Sequence, residues 1–158
     1  MKTIDTTQFS YVGDAAEDLV EKVTVTGETY NLKTVKLSEW FDHNPTTTEI
    51  FERMEKEGLD YCPPDAVNQV AKVLKKGDSV WLGMKPILDR YGRPGVFGVG
   101  RHDDGGRWLS ARWAGPGSAW ALGGRVVFRL RKSSDPLTLE KRVTELERKM
   151  SVIQIDFN

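Results

Sequence analysis

Thiol chemistry is nearly absent from this chain, which carries one cysteine, Cys62, in 158 residues. A lone cysteine builds no disulfide framework and offers no second thiolate to a zinc site, so Cys62 reads as a small apolar residue beside a turn. Long apolar runs are missing too. None approaches the roughly 18 to 20 residues of a membrane span, and the opening MKTIDTTQFSYVGDAAEDLVEK lacks the basic-then-apolar order of a secretion signal. The expected setting is therefore the cytoplasm, with no membrane partner. Histidine is scarce: His43 and His102 are the only two, and neither stands at metal-ligand spacing from a partner. Turn chemistry accounts for Asp103 and Asp104 at a predicted hairpin tip. Gly95, Gly98 and Gly100 lack the strand, glycine, helix order of a phosphate loop. Nucleophile elbows and H-E-x-x-H pairs are absent. No catalytic residue, metal site or cofactor is singled out, and a non-enzymatic protein is the expectation.

Net charge is also zero, yet the charges are unevenly shared. Residues 1–76 hold 9 Lys/Arg against 14 Asp/Glu, and residues 77–158 hold 14 against 9. Between Gly77 and Lys132 stand ten basic residues, eight of them arginine. Such a dipole fits either an anionic partner, nucleic acid included, or two halves that pack together.

What is present is ordinary globular material, 39% hydrophobic and 29% charged, enough for one main domain. The stretch EKVTVTGETYNLKTVKL alternates apolar and polar positions about Gly27-Glu28 and reads as a β-hairpin. Thr46 followed by Glu49 is a capping box, and Ile50, Phe51 and Met54 then fall at helical spacing up to Gly58. A second short helix opens at Pro63-Pro64 and carries Val67, Val70, Ala71 and Leu74. From Asp78 the pattern turns to β: SVWLGM, a turn at Arg90–Pro94, GVFGVGR, a turn at Asp103–Gly106, RWLSARWA, a glycine-rich loop and RVVFRLRK. The expected fold is α+β, an antiparallel sheet with two short covering helices over residues 1–132 (hairpin and helices in 1–77, a meander in 78–132). Residues 133–158 are expected to form a coiled-coil helix.

That helix carries apolar residues at Leu139, Val143, Leu146, Met150, Ile153 and Phe157, a strict heptad seam with Val143, Met150 and Phe157 at a and the others at d. Arg142 at g and Glu147 at e complete an Arg-apolar-x-x-apolar-Glu pattern that resembles short parallel trimeric coiled coils. The resemblance implies a homo-oligomer of three chains; valine at a with leucine at d is also compatible with two. The seam is short, so contacts between the globular parts are expected to assist it.

Trp81, Trp108, Trp113 and Trp120 all fall in the basic segment. Alternation in RWLSARWA puts Trp108, Ser110 and Arg112 on one face and Arg107, Leu109, Ala111 and Trp113 on the other. Aromatic rings beside arginines suit stacking on flat ligands, and Trp108, Arg112, Trp113 and Trp120 are the candidate contact surface for a protein or glycan; otherwise the rings fill the core. The segment running through residues 81–132 resembles a tryptophan-punctuated C-terminal domain of uncharacterised candidate-phylum bacterial proteins, a likeness that implies no activity. Its Gly-Gly-x-Trp, Pro/Gly loop and closing Phe-Arg strand are similar to the end of C-type-lectin-like variable proteins diversified by retroelements. That likeness implies ligand display, although Val127-Phe128-Arg129 stands where Gly-Phe-Arg is usual. The expected function is a non-enzymatic, trimeric binding or display protein; a nucleic-acid-binding protein using residues 85–132 and a structural assembly protein are the alternatives.

Overall fold

A computed structural model describes residues 3–131. The heptad seam from Leu139 to Phe157, with Arg142 and Glu147, lies outside the described residues.

One large mixed sheet is crossed by helices on both faces. In chain order its strands are β1 (Tyr11–Val12), β2 (Leu32–Lys36), β3 (Leu59–Asp60), β4 (Ser79–Leu82), β5 (Ile87–Leu88), β6 (Pro94–Arg101), β7 (Arg107–Trp113) and β8 (Arg125–Leu130). The α-helices are α1 (Asp14–Val20), α2 (Thr47–Lys56) and α3 (Val67–Val73).

The helices α2 and α3 form where the sequence marks them. Thr46 accepts from the Glu49 amide while the Glu49 carboxylate accepts from the Thr46 amide, so both halves of the capping box are made. Ile50 and Met54 go into the core. Pro63-Pro64 opens a single 3-10 turn, Pro64–Ala66, that runs into α3, and Val67, Val70 and Ala71 are buried. The third helix, α1, was not expected. Its N-cap is Gly13, with no side-chain cap, and only Ala16, Leu19 and Val20 mark its buried face.

Two expectations about pairing are corrected. Gly27 takes a φ of +81°, but no turn closes there and residues 21–26 do not become the first arm of a hairpin. The Lys22 and Val23 amides donate to the Leu19 and Val20 carbonyls at the end of α1, the Thr26 amide donates to Asp65, and beyond Gly27 the Tyr30 amide donates to Gln69. The second arm, β2, pairs antiparallel with β8 over five residues. In the second half, β4, β6 and β7 form the expected antiparallel meander. The closing strand β8 does not extend it. It returns to the other edge of β4, in parallel, while β1 takes the outer edge of β7, also in parallel. The order β1-β7-β6-β4-β8-β2 is therefore mixed rather than antiparallel, with β5 pairing β6 and β3 pairing β8.

This topology gives the two faces different covers. On one face β6 and β7, with Phe97, Val99 and Leu109 buried, pack against α1 and α3, Val80, Leu82 and Val127 continue that buried face, and the Arg107 guanidinium donates to the Ala71 carbonyl at 2.8 Å. On the other, Trp40 stacks on Phe128 at 5.3 Å, and Arg53 of α2 lies over Trp40. The return loop to β8 crosses this second face and is pinned by Trp120, which is 1% exposed. Its indole Nε1 donates to Thr47 Oγ1 at 2.8 Å, and its amide donates to the Pro45 carbonyl.

Candidate ligand-binding face

The second face is unusual in how it holds its rings. Gly83, Gly98 and Gly100 lie on it without side chains, and an aromatic ring occupies the space above each: Phe128 above Gly83, Trp81 above Gly98, Trp108 above Gly100. A Cβ on Gly100 would stand 2.0 Å from a Trp108 ring carbon, and one on Gly98 would stand 2.4 Å from Trp81. The rings thus pack directly on bare backbone, the close approach that glycine within a strand permits.

Their outer surfaces differ in steps. Phe128 is roofed by Trp40 and fully buried. Trp81 is half-buried, flanked by Trp120 edge-on at 6.4 Å and by the Arg112 guanidinium at 5.4 Å. Trp108 is half-buried and has neither a ring nor a cation over it among the described residues.

Register sets the neighbours of Trp108. Tyr11, Trp108, Gly100 and Ser79 form one cross-strand row, and Ser110, Gly98 and Trp81 form the next. Three strand spacings make the first row about 14 Å long. Tyr11 is 60% exposed. Among the described residues the Trp108 Nε1–H, the Tyr11 phenol and the Ser79 and Ser110 hydroxyls make no hydrogen bond. The face therefore offers flat apolar area bordered by free polar groups, the composition expected of a ligand site.

The four residues singled out in the sequence do not share one surface. Trp108 and Arg112 are on this face as the alternation required. Arg112 is a support: its guanidinium lies 4.4 Å from the Trp120 ring centroid and donates to the Ala119 carbonyl at 2.9 Å. Partial burial pulls its pKa down from the ordinary value. Trp120 is a correction, because a ring 1% exposed offers no stacking surface. Trp113 is 63% exposed on the opposite face, walling an apolar hollow of about 180 Å³ with Leu19, Pro94 and Ala111. Sequence reasoning passed over Tyr11, Trp81 as a site member, and the two glycines. The signal was there in Gly98-Val99-Gly100, since glycines two apart in a strand bare one face.

Each described arginine of the basic half has a partner within the chain. Of the eight between Gly77 and Lys132, Arg101, Arg107 and Arg112 donate to main-chain carbonyls. Arg90, Arg93, Arg125, Arg129 and Arg131 lie within 4.0 Å of Asp18, Asp89, Asp78, Glu28 and Asp60 respectively. Three of those partners, Asp18, Glu28 and Asp60, belong to the acidic half, so part of the charge dipole is paired within the chain.

Among the described residues no group of three or more metal-ligating side chains is gathered, and no helix is long and apolar enough to cross a membrane. Comparison with family models, with curated proteins and with solved structures gave no match.

Proposed function

We propose that this chain is a non-enzymatic carbohydrate-binding protein whose contact surface is the Tyr11, Trp108, Trp81 face. One observation carries the reading: the Trp108 ring packs on the bare backbone of Gly100, and among the described residues no ring or cation lies over it and its indole N–H makes no hydrogen bond. A pyranose has an apolar C–H face and a rim of hydroxyls. The first suits an indole plane, and the second suits the Trp108 N–H, the Tyr11 phenol and the serine hydroxyls beside it. The nucleic-acid reading has less support, because most of the arginines that would contact phosphates are engaged within the chain, with Arg125 and Arg129 the most loosely held.

We extend the proposal to assembly. The seam from Leu139 to Phe157, with Arg142 and Glu147, supports three parallel chains, which would cluster three faces and raise weak single contacts to useful avidity.

Titration calorimetry of the full chain against a series of neutral oligosaccharides is the test. Trp108→Ala is expected to lower affinity at least about tenfold, the loss of one aromatic hot spot, while Trp113→Ala leaves it unchanged. Equal loss in both variants, or none in either, refutes the face. Light scattering of the full chain and of a version ending at Lys132 checks the assembly; a full-length monomer would falsify it.

A further inference from the structure

At one end of the proposed binding face the surface drops into a polar hollow of about 280 Å³, between the start of β4 and the start of β8. Its walls include Lys36, Ser79, Trp81, Gly123 and Arg125. Trp81 and Ser79 belong to both places: Trp81 is the ring above Gly98, and Ser79 ends the row that begins at Tyr11 and passes through Trp108. Two strand spacings separate Ser79 from Trp108, about 10 Å, so one extended ligand of two or three ring units reaches from the open indole into the hollow.

The hollow is lined chiefly by donors. Among the described residues the Lys36 ammonium has no acidic partner, and the Gly123 N–H and the Ser79 hydroxyl make no hydrogen bond. Arg125 is held loosely, its guanidinium 3.7 Å from Asp78, with both side chains open to water. Asp78 is the one acid in the wall. Set against Lys36 and Arg125, it leaves the hollow one positive charge in excess. Gly123 adds no side chain to this wall, and the space where its Cβ would stand is open to 4 Å. A concave site with a cationic excess, idle N–H and O–H donors and one weakly engaged arginine is matched by an anionic oxygen group.

Resting on the carbohydrate reading above, we propose that this hollow is a subsite for an anionic substituent of the bound glycan, a carboxylate or a sulfate, so that acidic rather than neutral polysaccharides are the ligand class. A ring unit stacks on Trp108, the ligand runs on past the edge of Trp81, and the charged group enters between Lys36 and Arg125. Nothing covalent happens there; the subsite selects.

The test uses the full chain and four probes: a hexagalacturonate, its uncharged methyl ester, a sulfated galactan hexamer and inorganic sulfate. At low salt one of the two acidic oligosaccharides is expected to bind about tenfold or more tightly than the methyl ester, and which one does so tells carboxylate from sulfate. In Lys36→Gln/Arg125→Gln this preference should collapse while affinity for the ester stays within about twofold. Because Arg125 also faces Asp78, Lys36→Gln alone is the control for folding, and it should remove a large part of the preference by itself. Equal binding of acid and ester, or a preference that survives the double substitution, overturns the subsite and leaves the stacking face standing. The opposite failure is distinguishable. If no oligosaccharide binds but sulfate shifts the amide resonances of Gly123 and Lys36, and does so no longer in Lys36→Gln, the anion site stands without the carbohydrate reading. Silence from all four probes ends both.

Discussion

Replacing Gly100 by alanine puts the geometry of the binding face to a direct thermodynamic test. The backbone at Gly100 is open to any residue, since its φ is not in the left-handed region, so the only obstacle is the ring above it. The new Cβ would lie 2.0, 2.1 and 2.5 Å from three atoms of the Trp108 indole, where ordinary contact needs about 3.5 Å or more. The ring must lift by about 1.5 Å. Being half-buried, it lifts outward rather than pushing the strand, and it gives up the packing of one face. About 60 Å² of apolar area returned to water costs about 1.5 kcal/mol, and a strained χ angle adds about 0.5 to 1 kcal/mol. Against this, alanine restricts the unfolded chain and returns about 0.4 to 1 kcal/mol. A net loss of about 1.5 kcal/mol is expected. In a Trp108→Ala background the obstacle is gone and the same substitution should stabilise by about 0.4 to 1 kcal/mol. The sign reversal corresponds to a coupling of about 2 kcal/mol, well above the few tenths by which independent sites depart from additivity. Urea denaturation of the four chains, followed by far-UV circular dichroism and compared at equal m, measures it. A coupling below about 0.5 kcal/mol refutes the packing of the ring on Gly100 and removes the observation on which the carbohydrate reading stands.

Thr47→Val takes the acceptor from the buried Trp120 Nε1–H and should cost about 1 to 3 kcal/mol, whereas Thr47→Ser should be close to neutral; equal effects in a melting experiment would contradict the bond. Exposed His43 lies between Asp42 at 3.0 Å and Glu49 at 2.9 Å, and hydrogen bonds to Asp42 first and Glu49 second raise its pKa above the ordinary 6.5. Its contribution is complete below pH 6.5 and disappears as pH rises through the folded value. The lowered carboxyls of Glu49, held first by the Thr46 amide and then by His43, and of Asp42, held first by His43, contribute above their ordinary 4.5 and 3.8 and lose that contribution as pH falls. The stability gap between wild type and His43→Asn should accordingly peak between those carboxyl values and 6.5; a gap independent of pH would refute the clamp. Cys62 is 1% exposed, and burial pushes its thiol up to about 12, so a thiol reagent at pH 8 should modify it only as fast as the chain opens. Complete labelling of the native protein within mixing time would count against that burial.

What the sequence disclosed and what it withheld divide along the range of the interactions. Capping at Thr46 and Glu49, the proline turn before Val67, and the tight turns at Gly92 and Gly105, with φ of +76° and +96°, are decided by residues a few positions apart. They were legible. Which edge β8 would take was not, because its own residues alternate equally well beside β7 or beside β4, and the path of the return loop decides. Trp120 shows the same limit: nothing around it in the chain announces Thr47 as its partner, yet that bond and the burial under the loop turn a candidate contact residue into a core one. The expected hairpin failed for a similar reason, since Asp65 takes the Thr26 amide before Gly27 and Gln69 takes the Tyr30 amide after it, both from far along the chain. On the site itself, the alternation in β7 correctly put Trp108 with Arg112 and away from Trp113. The glycine spacing in β6 would have supplied the rest.

The position of β8 has a consequence for how the molecule comes into being. As the nascent chain is extended, β4, β6 and β7 can zip together as they appear, but the far edge of β4 stays bare until the whole excursion through β5, β6, β7 and the return loop has been made. In that interval Val80 and Leu82 sit on an edge strand whose main-chain ladder on the β8 side is free, the form most open to pairing with a neighbouring copy. The contacts that finally close the sheet, β4 with β8 and β2 with β8, are distant in sequence, and contacts of that kind form slowly. Crowded or rapid synthesis should therefore be where this protein is most easily lost to aggregation, and a chain cut before Arg125 should be sticky rather than merely less stable.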